Sequence, residues 1–248
     1  FGSTALHDIT PARVRHWFDA YSRTAPGGAN RGLDVFRQIM NFAMACGHID
    51  ANPARDVRKN RRRTLTRFLS REEIGRLHEV LDRHALDGRQ QQADIVRLLL
   101  LTGCRRGEIV PLQWSEVEEH KLVLRDSKTG PRSVPLNTKA RSILQRQPRG
   151  ASPFVFPSPL DAAKPRNPDL RFWYRVRREA GIEDVRLHDL RHTHASHAVM
   201  NGVPVPVVSR LLGHSNVRMT LRYAHLEDRE IEKAAERVGQ YIAAIMRM

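Results

Sequence analysis

Apolar positions fall at helical spacing along most of this chain, interrupted by one short stretch that alternates. Thr10-Pro11 has the form of an N-cap and first helical residue, and Val14, Trp17, Phe18 and Tyr21 continue one face. Pro26-Gly27-Gly28 predicts a loop. Val35, Phe36, Ile39, Met40, Ala43 and Cys46 then mark a second helix, with Gly47 suited to its C-terminal stop. Asn52-Pro53 predicts a turn. Ser70-Arg71-Glu72-Glu73 is a capping box that opens a helix carrying Ile74, Leu77 and Leu81. Ile95, Val96, Leu98, Leu99, Leu100 and Leu101 are apolar nearly all round, which predicts a buried helix that ends or bends at Thr102-Gly103.

The alternating stretch follows. Lys121-Leu122-Val123-Leu124 and Arg132-Ser133-Val134-Pro135-Leu136 flank Ser127-Lys128-Thr129-Gly130, the pattern of a β-hairpin whose second strand lies at an edge because of Pro135. Asn137 suits the cap of a helix from Thr138 to about Gln147. Residues 151–168, rich in Pro and Ser, read as loop. Asp169 to Gly181 predicts a basic helix carrying Phe172, Trp173 and Val176. Short helices are expected at about Asp189–Met200, Pro204–Leu212 and Val217–Tyr223, and a last one from about Asp228. There is no internal repeat. The fold class is mainly α with a small antiparallel β-sheet.

Charge changes this picture more than composition does. A hydrophobic content of 40% in 248 residues allows a buried core in one large or two modest domains. A formal net charge of +15 is the footprint of a protein that binds a polyanion, for which nucleic acid is the first candidate. The charge is locally dense: Arg58, Lys59, Arg61, Arg62 and Arg63 place five cations in six residues. Such a run does not pack, and beside the whole-chain charge it reads as a linker lying along a phosphate backbone. The expected organisation is a small helical domain over 1–60, a basic linker over 61–68 and a second domain over 69–248. Two helices make a small first domain, and a bundle lacking its first helices would account for it. Phe1-Gly2-Ser3 carries no initiator Met, which suits a fragment. Cys46 and Cys104 form no disulfide framework and fit a reducing compartment. No apolar run reaches a membrane span, and the start has no signal-peptide pattern.

The candidate chemistry gathers in the last sixty residues, in His188-Asp189-Leu190-Arg191-His192-Thr193, Leu211-Leu212-Gly213-His214 and Thr220-Leu221-Arg222-Tyr223. A phenol among cations calls for an anion between them. Arg105, at the end of the most apolar helix, needs a partner, because burying an unpaired charge costs several kcal/mol; Glu108 and a ligand phosphate are the two choices. Lys128 sits at the hairpin turn, from which a side chain can project. His188, His192, His194 and His197 raise the question of a metal. His194 and His197, three apart, can share a helix face, but His192 and His194 point to different faces and no cysteine or carboxylate completes a set, so no metal is expected. His192 is expected to be a satisfied buried histidine, and Arg106 a surface charge or a DNA-backbone contact. Tyr223 alone would be an ordinary helix tyrosine.

Taken in order, Thr102-Gly103-Cys104-Arg105-Arg106-Gly107-Glu108, the hairpin with Ser127-Lys128-Thr129-Gly130, His188-x-x-Arg191, Leu212-Gly213-His214 and Tyr223 resemble the tyrosine recombinases, in particular phage-type and mobile-element integrases. The resemblance covers residues 67–248, and the first sixty resemble the end of that family's helical, SAM-like core-binding domain. It implies a catalytic domain in which Tyr223 attacks a DNA phosphodiester and Arg105 and Arg191 grip the non-bridging oxygens. His188 would be general base or orient the phenol, His214 would donate to the phosphate, and Lys128 would protonate the 5′ leaving oxygen. Glu108 would be a supporting carboxylate.

It also implies a 3′-phosphotyrosyl intermediate without cofactor or metal, and site-specific integration or excision of a phage or mobile element. The implied partners are double-stranded DNA attachment sites, three further copies of the chain in a homo-tetramer, and accessory DNA-bending proteins, in the bacterial cytoplasm with no membrane. Ile231, Ala234, Val238, Ile242 and Ile245 form a stripe that either packs on its own domain or docks on a neighbouring subunit. Two other functions use similar parts: DNA relaxation by a type IB topoisomerase, and DNA binding by a relative that has lost catalysis.

Overall fold

The computed structural model describes residues 1–61, 67–126, 130–166, 170–214, 216–226 and 228–246, with the backbone alone for 217, 222, 225, 226 and 228–234. The chain divides into two compact units, Phe1–Leu65 and Thr66–Met248.

The first unit is built on two helices, α1 (Pro11–Thr24) and α2 (Pro26–Ala45). Thr10 caps α1, its hydroxyl accepting from the Arg13 backbone N–H, and Pro11 takes the first helical position. Pro26-Gly27-Gly28 is not the loop expected of it. Pro26 opens α2, and two of its glycines serve packing: a Cβ on Gly28 would lie 2.8 Å from the Tyr21 hydroxyl, and one on Gly32 would lie 3.2 Å from the Trp17 ring. The buried face of α2 also differs from the expected one. Leu33, Phe36, Met40 and Ala43 are buried, whereas Val35 and Ile39 are each 53% exposed and Cys46 is exposed. The core-facing stripe starts at Ala29, which shifts its phase past the branched residues. Gly47 ends the helix at φ +74°, as expected. Arg37 donates to the carbonyls of Ala54 (3.0 Å) and Val57 (2.6 Å), satisfying backbone that has no ladder of its own. Asn30 and Asn60 exchange two hydrogen bonds, side chain to backbone.

In the second unit, α3 (Arg71–His84) starts with the Ser70–Glu73 capping box, both bonds of which are made. Arg67 reinforces it by donating to both Glu73 oxygens. A π-type turn over Ala85–Arg89, absent from the sequence expectation, leads to α4 (Gln90–Thr102). That helix is central and buried. It also buries Asp94 completely, where Arg146 and Gln147 at the end of a later helix hold the carboxylate. The short α5 (Arg106–Ile109) follows. Strands β1 (Lys121–Leu124) and β2 (Arg132–Pro135) pair antiparallel, with Leu122 opposite Val134. Asn137 caps α6 (Thr138–Gln145), accepting from the Ala140 N–H at 2.9 Å. α7 (Leu170–Glu179) turns Phe172, Trp173 and Val176 into the core.

α8 (Asp189–Met200) and α9 (Val205–Leu212) take the expected positions. Val217–Tyr223 does not form the expected α-helix. It is two 3-10 turns, Val217–Met219 and Leu221–Leu226, and these hold Tyr223 at the end of a tight corner. Last comes α10 (Asp228–Met246), along which Val238, Tyr241, Ile242 and Ile245 are exposed. No helix of the described residues is long and apolar enough to cross a membrane.

Candidate active site

The site begins where α4 stops. Gly103 caps it in the left-handed region, φ +63°, and a Cβ there would lie 2.8 Å from the His194 ring and 2.9 Å from Leu212. Glycine is therefore required both by conformation and by the closeness of α8 and α9. The turn delivers Cys104 into the core and leaves the Arg105 side chain 20% exposed. Glu108, buried on α5, folds back: its Oε2 accepts from the Arg105 backbone N–H (2.8 Å) and its Oε1 from Arg105 Nη1 (3.0 Å). Glu108 is thus a partner of Arg105, as expected.

A second guanidinium reaches the same carboxylate. Arg132, from β2, donates through Nη2 to Glu108 Oε2 (2.7 Å) and through Nε to Oε1 (3.3 Å), and its side chain is only 9% exposed. Burial acts to raise the Glu108 pKa. The hydrogen bonds from Arg132 and from the Arg105 backbone together outweigh it, and the carboxyl stays below its usual range.

α8 contributes Arg191, which is buried and donates to the carbonyls of Gly103 (2.7 Å) and Leu212 (2.6 Å). Burial first, then the positive charges of Arg105 and Arg132, pushes its pKa down to about 10. It remains a cation at neutral pH. Two guanidiniums thus bind one carboxylate, and a third, Arg191, is near enough to feel all three charges, so the cluster is cationic in excess. Such a cluster stabilises an anion whose oxygens the arginine forks can match. A cavity of about 260 Å³ lined by Cys104, Arg106, Leu187, His188 and Arg191 opens beside it.

His188 precedes α8 and presents an exposed edge. Enough protein surrounds its ring that desolvation, followed by Arg191, holds its pKa below the ordinary imidazole value, so it is neutral at pH 7. His192, one turn on, is 8% exposed and packs edge-on against His188 at 5.1 Å. It is buried, as expected, and its partner is Tyr223: Nδ1 and the phenol oxygen share a hydrogen bond of 2.5 Å. Tyr223 itself is 5% exposed, packed with Val199, Val208 and Leu212 of α8 and α9. His214 follows Gly213, which ends α9 at φ +63°, and its Nδ1 shares a 2.7 Å hydrogen bond with the buried Thr220 hydroxyl.

The remaining histidines of α8 bond carbonyls, His194 to Leu100 and His197 to Leu69. Among the described residues no cluster suits a metal ion.

Arg105, Glu108, His188, Arg191, His214 and Tyr223 therefore lie on elements tied together by hydrogen bonds at the ends of α4, α8 and α9. Lys128, Arg62 and Arg63 fall outside the described residues. Arg58, Lys59 and Arg61 belong to the first unit and are exposed, with Lys59 ion-paired to Asp34. Sequence reasoning missed Arg132, Thr220 and the pairing of His192 with Tyr223. A signal for Arg132 existed: strand alternation places it on the inward face with Val134, where a charge needs an opposite one.

Residues 67–230 match the phage integrase family. The integrase of Salmonella phage P22 is 32% identical over 160 residues, 58% of this chain and 41% of that protein. Tyrosine recombinase XerC of Erythrobacter litoralis is 30% identical over 218 residues, covering 84% of this chain and 71% of XerC. In fold, the chain is similar to λ integrase in a dimer bound to a COC′ core site, with a TM-score of 0.72 at 20% identity over 88% of this chain and 65% of that one. λ integrase has also been solved as a tetramer bound to a Holliday junction. The chain belongs to the phage integrase family, the tyrosine recombinases. It spans well under half the length of the P22 integrase it matches and about two thirds of the λ integrase chain.

Proposed function

We propose that this chain is a site-specific DNA recombinase that cleaves and rejoins strands through a 3′-phosphotyrosyl intermediate, integrating or excising a phage or mobile element. The observation that carries the reading is a buried phenol, hydrogen-bonded to an imidazole, on the same scaffold as an arginine cluster with excess positive charge. Tyr223 Oη attacks the phosphorus of a phosphodiester as its proton leaves to an imidazole, and the bond to the 5′ oxygen breaks. Arg105 and Arg191 hold the non-bridging oxygens and stabilise the charge that builds on them. His214 donates to the phosphate. His188, neutral at working pH, serves as base or orients the ring. Lys128 gives the leaving oxygen its proton. The phosphotyrosyl bond conserves the energy of the diester, and attack by another strand's 5′-hydroxyl completes exchange without a cofactor.

The partners in this reading are double-stranded attachment sites and further copies of the chain, in a homo-tetramer assembled on DNA in the bacterial cytoplasm. The assemblies solved for λ integrase support it. Residues 1–60 act as a core-binding domain and Arg58, Lys59, Arg61, Arg62 and Arg63 follow the backbone of the duplex. Accessory bending proteins would assist the larger complex, which footprinting with and without a host extract would detect.

A duplex nicked near the scissile phosphate tests the reading. Release of the short 5′-hydroxyl strand should trap a covalent adduct with the wild-type chain, and Tyr223→Phe should form none while binding the same duplex. Adduct formed by the Phe variant would refute Tyr223 as nucleophile. Relaxed circles without joined recombinants would favour a topoisomerase instead.

A further inference from the structure

We infer that Arg132 is a positioning residue of this site: it fixes the arginine-carrying turn at the end of α4 and the glycine turn that carries His214 in one mutual geometry. The inference rests on the proposed recombinase chemistry and adds a residue that the sequence motifs did not mark.

Three observations support it. Arg132 makes the fork to both oxygens of Glu108, the carboxylate that also binds the Arg105 backbone and guanidinium. Its remaining amino group, Nη1, donates to the carbonyl of Leu211 (3.1 Å), in the last turn of α9 two residues before Gly213. One planar side chain therefore joins two segments that are far apart in sequence. The fit around it is also tight. A Cβ on Gly213 would lie 2.5 Å from Arg132 Cδ and 2.7 Å from its Nη1, so Gly213 is required by this side chain as well as by its own φ of +63°. Arg132 bonds Glu108 and a main-chain carbonyl but carries out no chemistry itself. Its strand leads back to the hairpin turn where Lys128 stands in sequence.

A lysine cannot replace it. An ammonium offers a point charge and no rigid fork, so it cannot satisfy both Glu108 oxygens and the Leu211 carbonyl in one plane. Loss of the fork also removes the main influence holding the Glu108 carboxyl low. The groups that face Glu108 would then be Arg105, Arg191 and the Cys104 thiol.

The test uses the full chain and the nicked duplex, comparing wild type with Arg132→Lys, Arg132→Ala and Gly213→Ala. Duplex affinity at fixed salt and thermal unfolding are measured alongside. Adduct formation should slow roughly a hundredfold in both Arg132 variants, the scale set by a misplaced catalytic group, with affinity within about threefold of wild type. Arg132→Lys keeps the stem and charge, and it carries the test if the alanine variant does not fold.

Two readouts separate positioning from simple support of the fold. The pH profile of adduct formation in Arg132→Lys should gain an acid limb shifted upward as Glu108 takes up a proton, and adding Glu108→Gln should remove that limb. Gly213→Ala should be slow alone and cost less in the Arg132→Ala background than in the wild type, because the clash is gone there while the strain at φ +63° remains. Wild-type rates in the Arg132 variants, or an unchanged pH profile with slow rates, would overturn the inference. Absence of any adduct with the wild-type chain would overturn the recombinase reading along with it.

Discussion

His192 and Tyr223 show how a side chain acquires a role from what it touches. Both are buried, and their hydrogen bond runs from α8 to the 3-10 turn that follows His214. The bond can hold the phenol ring in one rotamer, and it gives the phenolic proton an adjacent acceptor when the tautomer is right. His192→Ala should therefore slow covalent adduct formation on the nicked duplex by about tenfold or more, with a loss of about 1–3 kcal/mol in urea denaturation from the vacated space and the missing bond. His192→Gln, which keeps a hydrogen-bonding group, should recover part of the rate. Adduct formation by His192→Ala at the wild-type rate would show that this contact only packs the ring.

In the sequence, His188-x-x-Arg191 stood out by spacing and His192 looked like one more buried imidazole. Its partner lies 31 residues on, across a turn whose shape no local pattern specifies. Arg132 was hidden for a similar reason: its meaning depends on Glu108, 24 residues earlier, and on the Leu211 carbonyl, 79 residues later.

At the scale of elements, legibility followed the locality of the signal. The Ser70–Glu73 box and the Thr10 and Asn137 caps depend on residues within a few positions, and the two hairpin strands on a simple alternation, and all took the expected form. The departures are tertiary. Gly27 and Gly28 carry a turn composition, yet they lie inside α2, where the aromatic rings of α1 leave no room for a side chain at Gly28 and little at Gly32. Val217–Tyr223 has helical spacing, yet it tightens to 3-10 geometry where Thr220 turns inward to His214 and Tyr223 to His192.

α10 is an amphipathic helix whose Val238, Ile242 and Ile245 remain exposed in the isolated chain. Those three residues are exposed in the single chain, and of the two uses expected of the stripe, docking on a neighbouring subunit is the one a truncation tests. Truncation after residue 227 should therefore leave single-site duplex binding within about threefold and reduce the species that hold two or more copies on paired sites by roughly tenfold or more, in line with the loss of a helix-in-groove anchor. Native gels with one-site and two-site duplexes would measure both. Unchanged assembly by the truncated chain would mean that α10 plays no part in it.

For the whole molecule, the proposed function makes charge the property that governs how the chain would meet DNA. Forty-two Lys and Arg face twenty-seven Asp and Glu, and several acidic groups are already committed: Asp94 to Arg146, Glu73 to Arg67, Asp189 to Arg186 and Glu108 to Arg105 and Arg132. The basic excess is thus left largely to exposed cations that can exchange counterions for phosphates. Each phosphate neutralised should add about 0.9 to the slope of log affinity against log salt, so binding to an attachment-site duplex should fall steeply between about 50 and 200 mM salt. The cations should not contribute equally. Arg58→Ala and Arg61→Ala remove exposed guanidiniums and should each lower the slope by about one. Lys59 starts from an ion pair with Asp34, both side chains being about two-fifths exposed. Contact with a phosphate must first break that pair, so Lys59→Ala should change the slope by less, and Asp34→Asn should raise affinity at low salt by freeing the ammonium. Titrations of the four variants by fluorescence anisotropy over that salt range would order them. Equal slope changes at 58, 59 and 61 would mean that the Asp34 pair is lost before the duplex arrives. A flat salt dependence in the wild-type chain would remove the electrostatic basis for backbone binding altogether.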